Sequence, residues 1–424
     1  MPLRSRCSKN LTATEMPNNV GWTRLGLLLL CMQCFVGGTH AEGQTPGAKP
    51  SPAVRPELFL PRGDSSLAAI WHQLDTLVYE GRGSINVVHL GGSHVQAGML
   101  TDAVRRELHA FAPDVHGSIG WLFPYPLAGT NGPRSVAVKS YGTWVGQRCS
   151  VPQHRGPWGF AGIRAYTADS AGFTLAHKVL PLRATSLLLF YPGADSLNPP
   201  SVAGPVREVI RRADGIEVVF ERPIDTVVVG WKPRAGRRDT LSLEGVLLRP
   251  QDPDGIRYHS VGVNGAATHS YLKAVRFTEQ LRELPPDLVV FGLGINDAHK
   301  ARGDFDTLAF ERRYDSLVDA VRSVNPRAAF IWLTNNDALY QGVNNPHGIM
   351  VQRIMRRLAV RHDGAVFDFF AAMGGYGSVR RWMANQWARP DGIHLSQVGY
   401  EAQAAWFAQA LITAYLRHQE LRPW

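Results

Sequence analysis

Apolar positions along this chain change rhythm twice. In the first stretch, Leu67, Ile70, Leu74, Leu77 and Val78 recur at three- and four-residue spacing and predict a helix over 65–79. The apolar run 86–90 predicts a short buried strand, after which Val95, Met99, Leu100, Val104, Leu108 and Phe111 resume helical spacing. Gly91 and Gly92 lie between the two and set Ser93 on a tight strand-to-helix turn. From 135 to about 255 the helical rhythm is nearly gone. Short apolar or alternating runs at 159–167, 173–180, 186–191, 215–220, 226–230 and 241–249, separated by turn residues, predict an all-β sandwich or barrel. From 258 the first rhythm returns. Strands at 260–263, 288–293, 329–333 and 365–370 alternate with helices at 269–284, 305–324 and 348–362, and Ser396 caps a last helix. Such alternation implies a parallel sheet covered on both faces, here interrupted between its first helix and its second strand.

In open α/β sheets, ligands bind beyond the carboxyl ends of the strands. Four segments of the α/β part are read as ending strands with polar or glycine residues: Gly91-Gly92-Ser93-His94, Gly262-Val263-Asn264-Gly265-Ala266, Gly292-Leu293-Gly294-Ile295-Asn296-Asp297 and Asp391-Gly392-Ile393-His394. Ser93 alone reads equally well as a helix cap, a position serine favours. Together the segments supply a full set of parts for acyl transfer. Ser93 is the candidate nucleophile, and a hydroxyl needs a base to take its proton. His394 is that base, and Asp391, three residues before it, can fix the ring's tautomer and stabilise its cation. The N–H groups of Ser93 and Gly265 and the side-chain amide of Asn296 are candidate donors to an oxyanion. His94, adjacent to Ser93, is badly placed to be its base and reads as structural; Asp297 reads as a helix cap. Asn131, in the Gly- and aromatic-rich loop 117–133, and Asn335, at the end of strand 329–333, are candidate substrate contacts. That loop also reads equally well as hydrophobic packing. No spacing among His259, His269 and His299 suggests a metal site, and no metal or cofactor is expected.

The four blocks, in this order, resemble the SGNH or GDSL-type esterase and lipase family, whose Ser, Gly, Asn and His match Ser93, Gly265, Asn296 and His394, with Asp391 completing an Asp-x-x-His block. The resemblance covers roughly 65–133 and 258–418. It implies a flavodoxin-like three-layer α/β/α sandwich. One position departs: where the family usually has aspartate before the serine, this chain has Gly92. The long gap between Ser93 and Gly265 resembles peptidoglycan O-acetylesterases, in which a carbohydrate-binding-like jelly roll interrupts the hydrolase. The expected domains are therefore a hydrolase in two parts, 65–134 and 256–424, and an inserted β-sandwich, 135–255. Trp144, Trp158 and Trp231 in the insertion could stack on sugars, but core packing is the favoured reading for each.

Composition and the N-terminus set the context. An apolar run at 25–35 behind Arg24, followed by Thr39-His40-Ala41, reads as a secretory signal peptide over 1–41, too short for a stable membrane span; 42–64 reads as a linker. Export implies a periplasmic or secreted protein. Cleavage after Ala41 would leave Cys149 as the one cysteine of four, which excludes an internal disulfide and a cysteine metal site. The formal net charge of +10 suits anionic partners, yet no Lys/Arg block marks a nucleic-acid groove. The expected activity is removal of O-acetyl groups from an acetylated cell-envelope glycan, peptidoglycan first. Transfer of the acyl group to a sugar, and glycan binding without catalysis, are the alternatives.

Overall fold

A computed structural model describes residues 48–111, 117–194 and 196–421; the expected signal peptide lies outside the described residues. The five apolar runs of the α/β parts form five parallel strands: β1 Ser84–Gly91, β2 Gly255–Gly262, β3 Leu288–Gly292, β4 Ala329–Leu333 and β5 Ala365–Phe367. Their spatial order is β2-β1-β3-β4-β5, with the two-residue strand Leu58–Phe59 antiparallel on the β5 edge. This is the flavodoxin-like order. Helices α1 Ser93–Gln96, α2 Met99–His109, α3 Thr268–Tyr271, α4 Ile295–Ala298, α5 Thr307–Arg322, α6 His347–His362 and α7 Gln397–Glu420 follow in the chain. They divide between the two faces. Trp332 of β4 meets Tyr314 of α5 and His362 of α6 at ring distances of 6.3 and 6.1 Å. Its register partner on β5 is Val366, so Phe367 points the other way, where it meets Phe407 of α7 at 5.4 Å. The result is three layers.

Three expectations are corrected by backbone detail. The helix over 95–111 is broken between α1 and α2 at Gly98, whose φ of 78° is left-handed. A Cβ there would lie 2.5 Å from Pro133. The helix expected over 269–284 is two short ones, α3 and Phe277–Leu281. The strand expected to 370 stops at Phe367, because the Asp368 side chain accepts from the Ala371 N–H and caps a new helix, Phe369–Met373.

Residues 136–250 form antiparallel sheets of five, four and three strands. The five-stranded sheet recruits Trp121–Leu122 from the loop 117–133, paired with Val246 and Leu247. Trp121, Phe123, Tyr125 and Leu127 in that loop are all buried, so the loop packs as core. One apolar cluster runs from Val88 and Leu90 of β1 through Leu187, Leu188 and Leu189 of the β-rich stretch, and the described residues form a single compact unit. The junction also holds Glu244, fully buried, which accepts from Arg276 and, at 2.6 Å, from Gln280. Trp158 and Trp231 lie in the core, and Trp144 packs edge-on against Phe173 at 6.4 Å.

Two histidines tie the strands together and make the fold acid-sensitive. His89 on β1 has Nδ1 2.8 Å from the Tyr258 hydroxyl. His259 accepts the Trp121 N–H at Nδ1, 3.0 Å, and faces Asn86 through Nε2. Burial pushes each down to about 3, whereas an unfolded histidine titrates near 6.5. The unfolded chain therefore takes up protons that the folded chain refuses. Stability is full above pH ~6.5 and falls as pH drops toward 3, by about 2 kcal/mol per histidine at pH 5. Urea melts at pH 7.5 and pH 5 should show this loss, and His89→Gln should reduce the slope. A midpoint independent of pH over that interval would contradict it.

Candidate active site

The site is built on a row of glycines. Gly262, Gly91 and Gly292 pair in register across β2, β1 and β3. They let the one-turn helix α1 sit directly on the strand ends: a Cβ at Gly262 would lie 2.3 Å from the Gln96 backbone nitrogen, and one at Gly91 would lie 2.2 Å from Val95 Cγ2. Buried tyrosines hold the carbonyls of this row. Tyr271 shares its hydroxyl between Gly91 O at 2.8 Å and Val261 O at 3.1 Å, and Tyr125 donates to Gly262 O at 2.8 Å. Ser93 is thereby fixed as the first residue of α1, after Gly92.

Its partner comes from a loop before α7. Ser93 Oγ lies 2.8 Å from His394 Nε2, and His394 Nδ1 lies 2.8 Å from Asp391 Oδ2. The second oxygen of Asp391 accepts the N–H groups of Ile393 at 2.8 Å and His394 at 2.9 Å. Partial burial works to raise the Asp391 pKa, but these N–H groups and the His394 ring outweigh it and hold the carboxyl below its usual range. The loop itself is pinned to the end of β4: Asn336 donates to Ile393 O and Leu339 N–H to Gly392 O, at 2.9 and 2.8 Å.

Gly265 and Asn296 gather beside Ser93. Asn296, in the first turn of α4, donates one amide hydrogen to Ala266 O at 2.9 Å, leaving its second free. A Cβ on Gly92 would lie 2.9 Å from that same amide nitrogen, so glycine at 92 lets Asn296 approach the serine turn. Gly265 has φ of 77°, and its N–H makes no hydrogen bond among the described residues. The N–H of Ser93, at a helix start, has no partner within the helix. Three donors are thus available around the serine.

The remaining candidates divide. Asn131 is exposed, and its side-chain oxygen accepts from Asn264 at 2.8 Å, within a bracket in which Gln96 Oε1 takes the Asn264 N–H at 2.6 Å. It braces the Gly265 loop rather than standing free. Asn335 is partly exposed, makes no hydrogen bond among the described residues, and lies near Gly294 at the start of α4. Asp297 accepts from Thr268 N–H at 3.0 Å and Oγ1 at 2.7 Å and caps α3. Sequence reasoning missed Ser150. It reaches over from the β-rich stretch to donate to Asn264 O at 2.7 Å, with its Cβ beside Gly265, a placement that only tertiary packing creates. Gln96, one turn after Ser93, was missed as well. No group of His, Cys, Asp or Glu that could hold a metal occurs among the described residues.

A hydroxyl bonded to an imidazole, itself bonded to a carboxylate, with free donors nearby, is the arrangement acyl transfer to serine requires. A sequence model of the GDSL-like lipase/acylhydrolase family matches residues 225–402. That span holds Gly265, Asn296, Asp391 and His394, and Ser93 precedes it. No curated protein matches the sequence. Among solved structures, a peptidoglycan O-acetylesterase superposes with TM-score 0.68 at 22% identity, covering 85% of this chain and 99% of that one. A lipase/acylhydrolase from Enterococcus faecalis matches at TM-score 0.31 and 21% identity over 38% of this chain and 77% of its own. An acetyl xylan esterase matches at TM-score 0.31 and 20% identity over 38% and 83%. The chain carries the SGNH-hydrolase fold, and its residues 225–402 match the GDSL-like lipase/acylhydrolase model; together these mark a carboxylic ester hydrolase.

Proposed function

We propose that the chain removes O-acetyl groups from a cell-envelope glycan, peptidoglycan first, through a covalent acetyl-enzyme at Ser93. The observation that carries this reading is the unbroken relay Ser93 Oγ–His394 Nε2 and His394 Nδ1–Asp391 Oδ2, both at 2.8 Å. In acylation Ser93 Oγ bonds to the ester carbonyl carbon and gives its proton to His394. The carbonyl electrons move to oxygen, where the Ser93 and Gly265 N–H groups and the free Asn296 hydrogen receive them. Collapse breaks the bond to the sugar oxygen, which leaves with the proton from His394. Water then repeats the sequence, with His394 as base, and acetate departs. Asp391, held ionised by its donors, stabilises the imidazolium in both halves.

The choice of glycan is supported by the neighbour, a peptidoglycan O-acetylesterase, whose fold this chain matches over 85% of its length. The signal-peptide pattern at 1–41 and the net charge of +10 fit an exported protein working on an anionic wall. No helix of the described residues is long and apolar enough to cross a membrane.

The test is acetate release from O-acetylated peptidoglycan and from acetylated xylan, wild type beside Ser93→Ala. Release from peptidoglycan by wild type alone is expected. Release from xylan alone moves the substrate. Acetyl groups reappearing on a second glycan, without free acetate, make the protein a transferase, and turnover of no acetyl ester leaves a binding protein.

A further inference from the structure

His94 has no place in the relay, yet its ring lies against it. It stacks on His394 with centroids 5.2 Å apart and planes 23° from parallel. Its Nδ1 is 2.9 Å from the Tyr400 hydroxyl, and the tyrosine ring meets it edge-on. Its Nε2 is sealed from solvent without a partner, an arrangement that a protein keeps at a cost. Tyr400 lies in the first turn of α7, just beyond the Ser396 cap. Since His94 follows Ser93 and Tyr400 opens the helix into which the His394 loop runs, one hydroxyl links the nucleophile's turn to the element that carries on from the base's loop.

Such a link answers a geometric need. Asp391 and His394 belong to one loop, so their hydrogen bond orients the ring within that loop and not relative to Ser93. A ring anchored on the Ser93 side can do so. We propose that His94 is a positioning residue: stacked on His394 and anchored through Tyr400, it keeps the imidazole at hydrogen-bonding distance from Ser93 Oγ through the catalytic cycle. This rests on the reading of Ser93 and His394 as nucleophile and base.

The role also requires His94 to stay neutral, because a second cation stacked on His394 would oppose its taking the serine proton. The groups facing it are His394, Asp391, Arg389 and Tyr400. Burial, with the charges of His394 and Arg389, outweighs the pull of Asp391 and drives His94 down to about 3. At any working pH it is therefore an uncharged face against a ring that alternates between neutral and charged.

Tyr400→Phe removes one oxygen and leaves the packing; His94→Asn keeps an acceptor for Tyr400 but loses the ring; His94→Phe keeps a ring but loses the acceptor. Turnover of p-nitrophenyl acetate across pH should show kcat lowered about 10- to 100-fold in Tyr400→Phe and His94→Asn, with KM within about twofold and His94→Phe intermediate. The low-field proton resonance of the His394–Asp391 hydrogen bond should broaden in Tyr400→Phe. Folded variants with kcat within about twofold of wild type and an unchanged low-field proton would overturn the proposal. If wild-type turnover proves independent of Ser93, the nucleophile assignment falls instead, and the resonance still reports whether His94 holds the ring.

Discussion

Replacing Ser93 with alanine is expected to lower kcat on p-nitrophenyl acetate by at least about 10⁴-fold, with little change in melting temperature. The loss is large because the substitution removes the atom that bonds to carbon, and what remains is the donor set around the oxyanion, which supports only weak attack by water. His394→Ala should cost a similar factor. The double variant should be no worse than either alone, since the two side chains act as one unit across their 2.8 Å contact. Stability should hold because the Ser93 hydroxyl bonds to His394 alone among the described residues. Steady-state kinetics on the three variants, with thermal melts beside them, check this. Additive losses in the double variant would mean that serine and histidine serve different steps.

Gly262→Ala is expected to damage both stability and activity, though it touches no substrate. The added Cβ would lie 2.3 Å from the Gln96 backbone nitrogen and 2.8 Å from its Cα. Backbone cannot swing aside as a side chain can, so α1 must lift from the sheet. Overpacking of this kind costs about 1–3 kcal/mol. The shift also carries Ser93 away from His394 and loosens Gln96 from the Asn264 N–H, now 2.6 Å away. A displacement on the order of 1 Å is enough to reduce kcat about 100-fold. A denaturant melt and a kcat measurement on the same preparation decide it. A variant with wild-type stability and turnover would show that α1 does not depend on that close approach.

Much of the scaffold was legible because of where it is buried. Strands β3 and β4 are covered on both faces, so they appear as unbroken apolar runs, Leu288–Gly292 and Ala329–Leu333. The β-rich stretch shows the opposite. Val206–Arg212 is exposed or half-exposed along its length and carries three arginines, so no hydrophobic period marks it as a strand. The strand Trp121–Leu122 was hidden for another reason: its pairing partner lies more than a hundred residues on, at Val246 and Leu247. Helix breaks were partly readable, since Gly98 stands in the sequence, but the room it must leave for Pro133, 2.5 Å from where a Cβ would lie, shows only in the fold.

The site divides in the same way. Ser93, Gly265 and Asn296 sit in local blocks after strands and Asp391 and His394 in one before α7, and their residue types declare their chemistry. The glycine row does not declare itself, because Gly91, Gly262 and Gly292 become neighbours only through sheet register. Gly92, a departure when read along the chain, makes sense once Asn296 is seen 2.9 Å from where its Cβ would be. Ser150 and Tyr400 come to the site from the β-rich stretch and from α7, and nothing near either in sequence announces it.

The central claim is that Ser93 carries the acyl group between sugar and water. Its most direct measurement is mass spectrometry of the enzyme acid-quenched during turnover of an acetyl ester, followed by digestion and peptide mapping. The account predicts an acetyl group on the peptide containing Ser93, present at early times, absent in Ser93→Ala and cleared when substrate is exhausted. Sustained wild-type turnover with the acetyl group on another residue would contradict it.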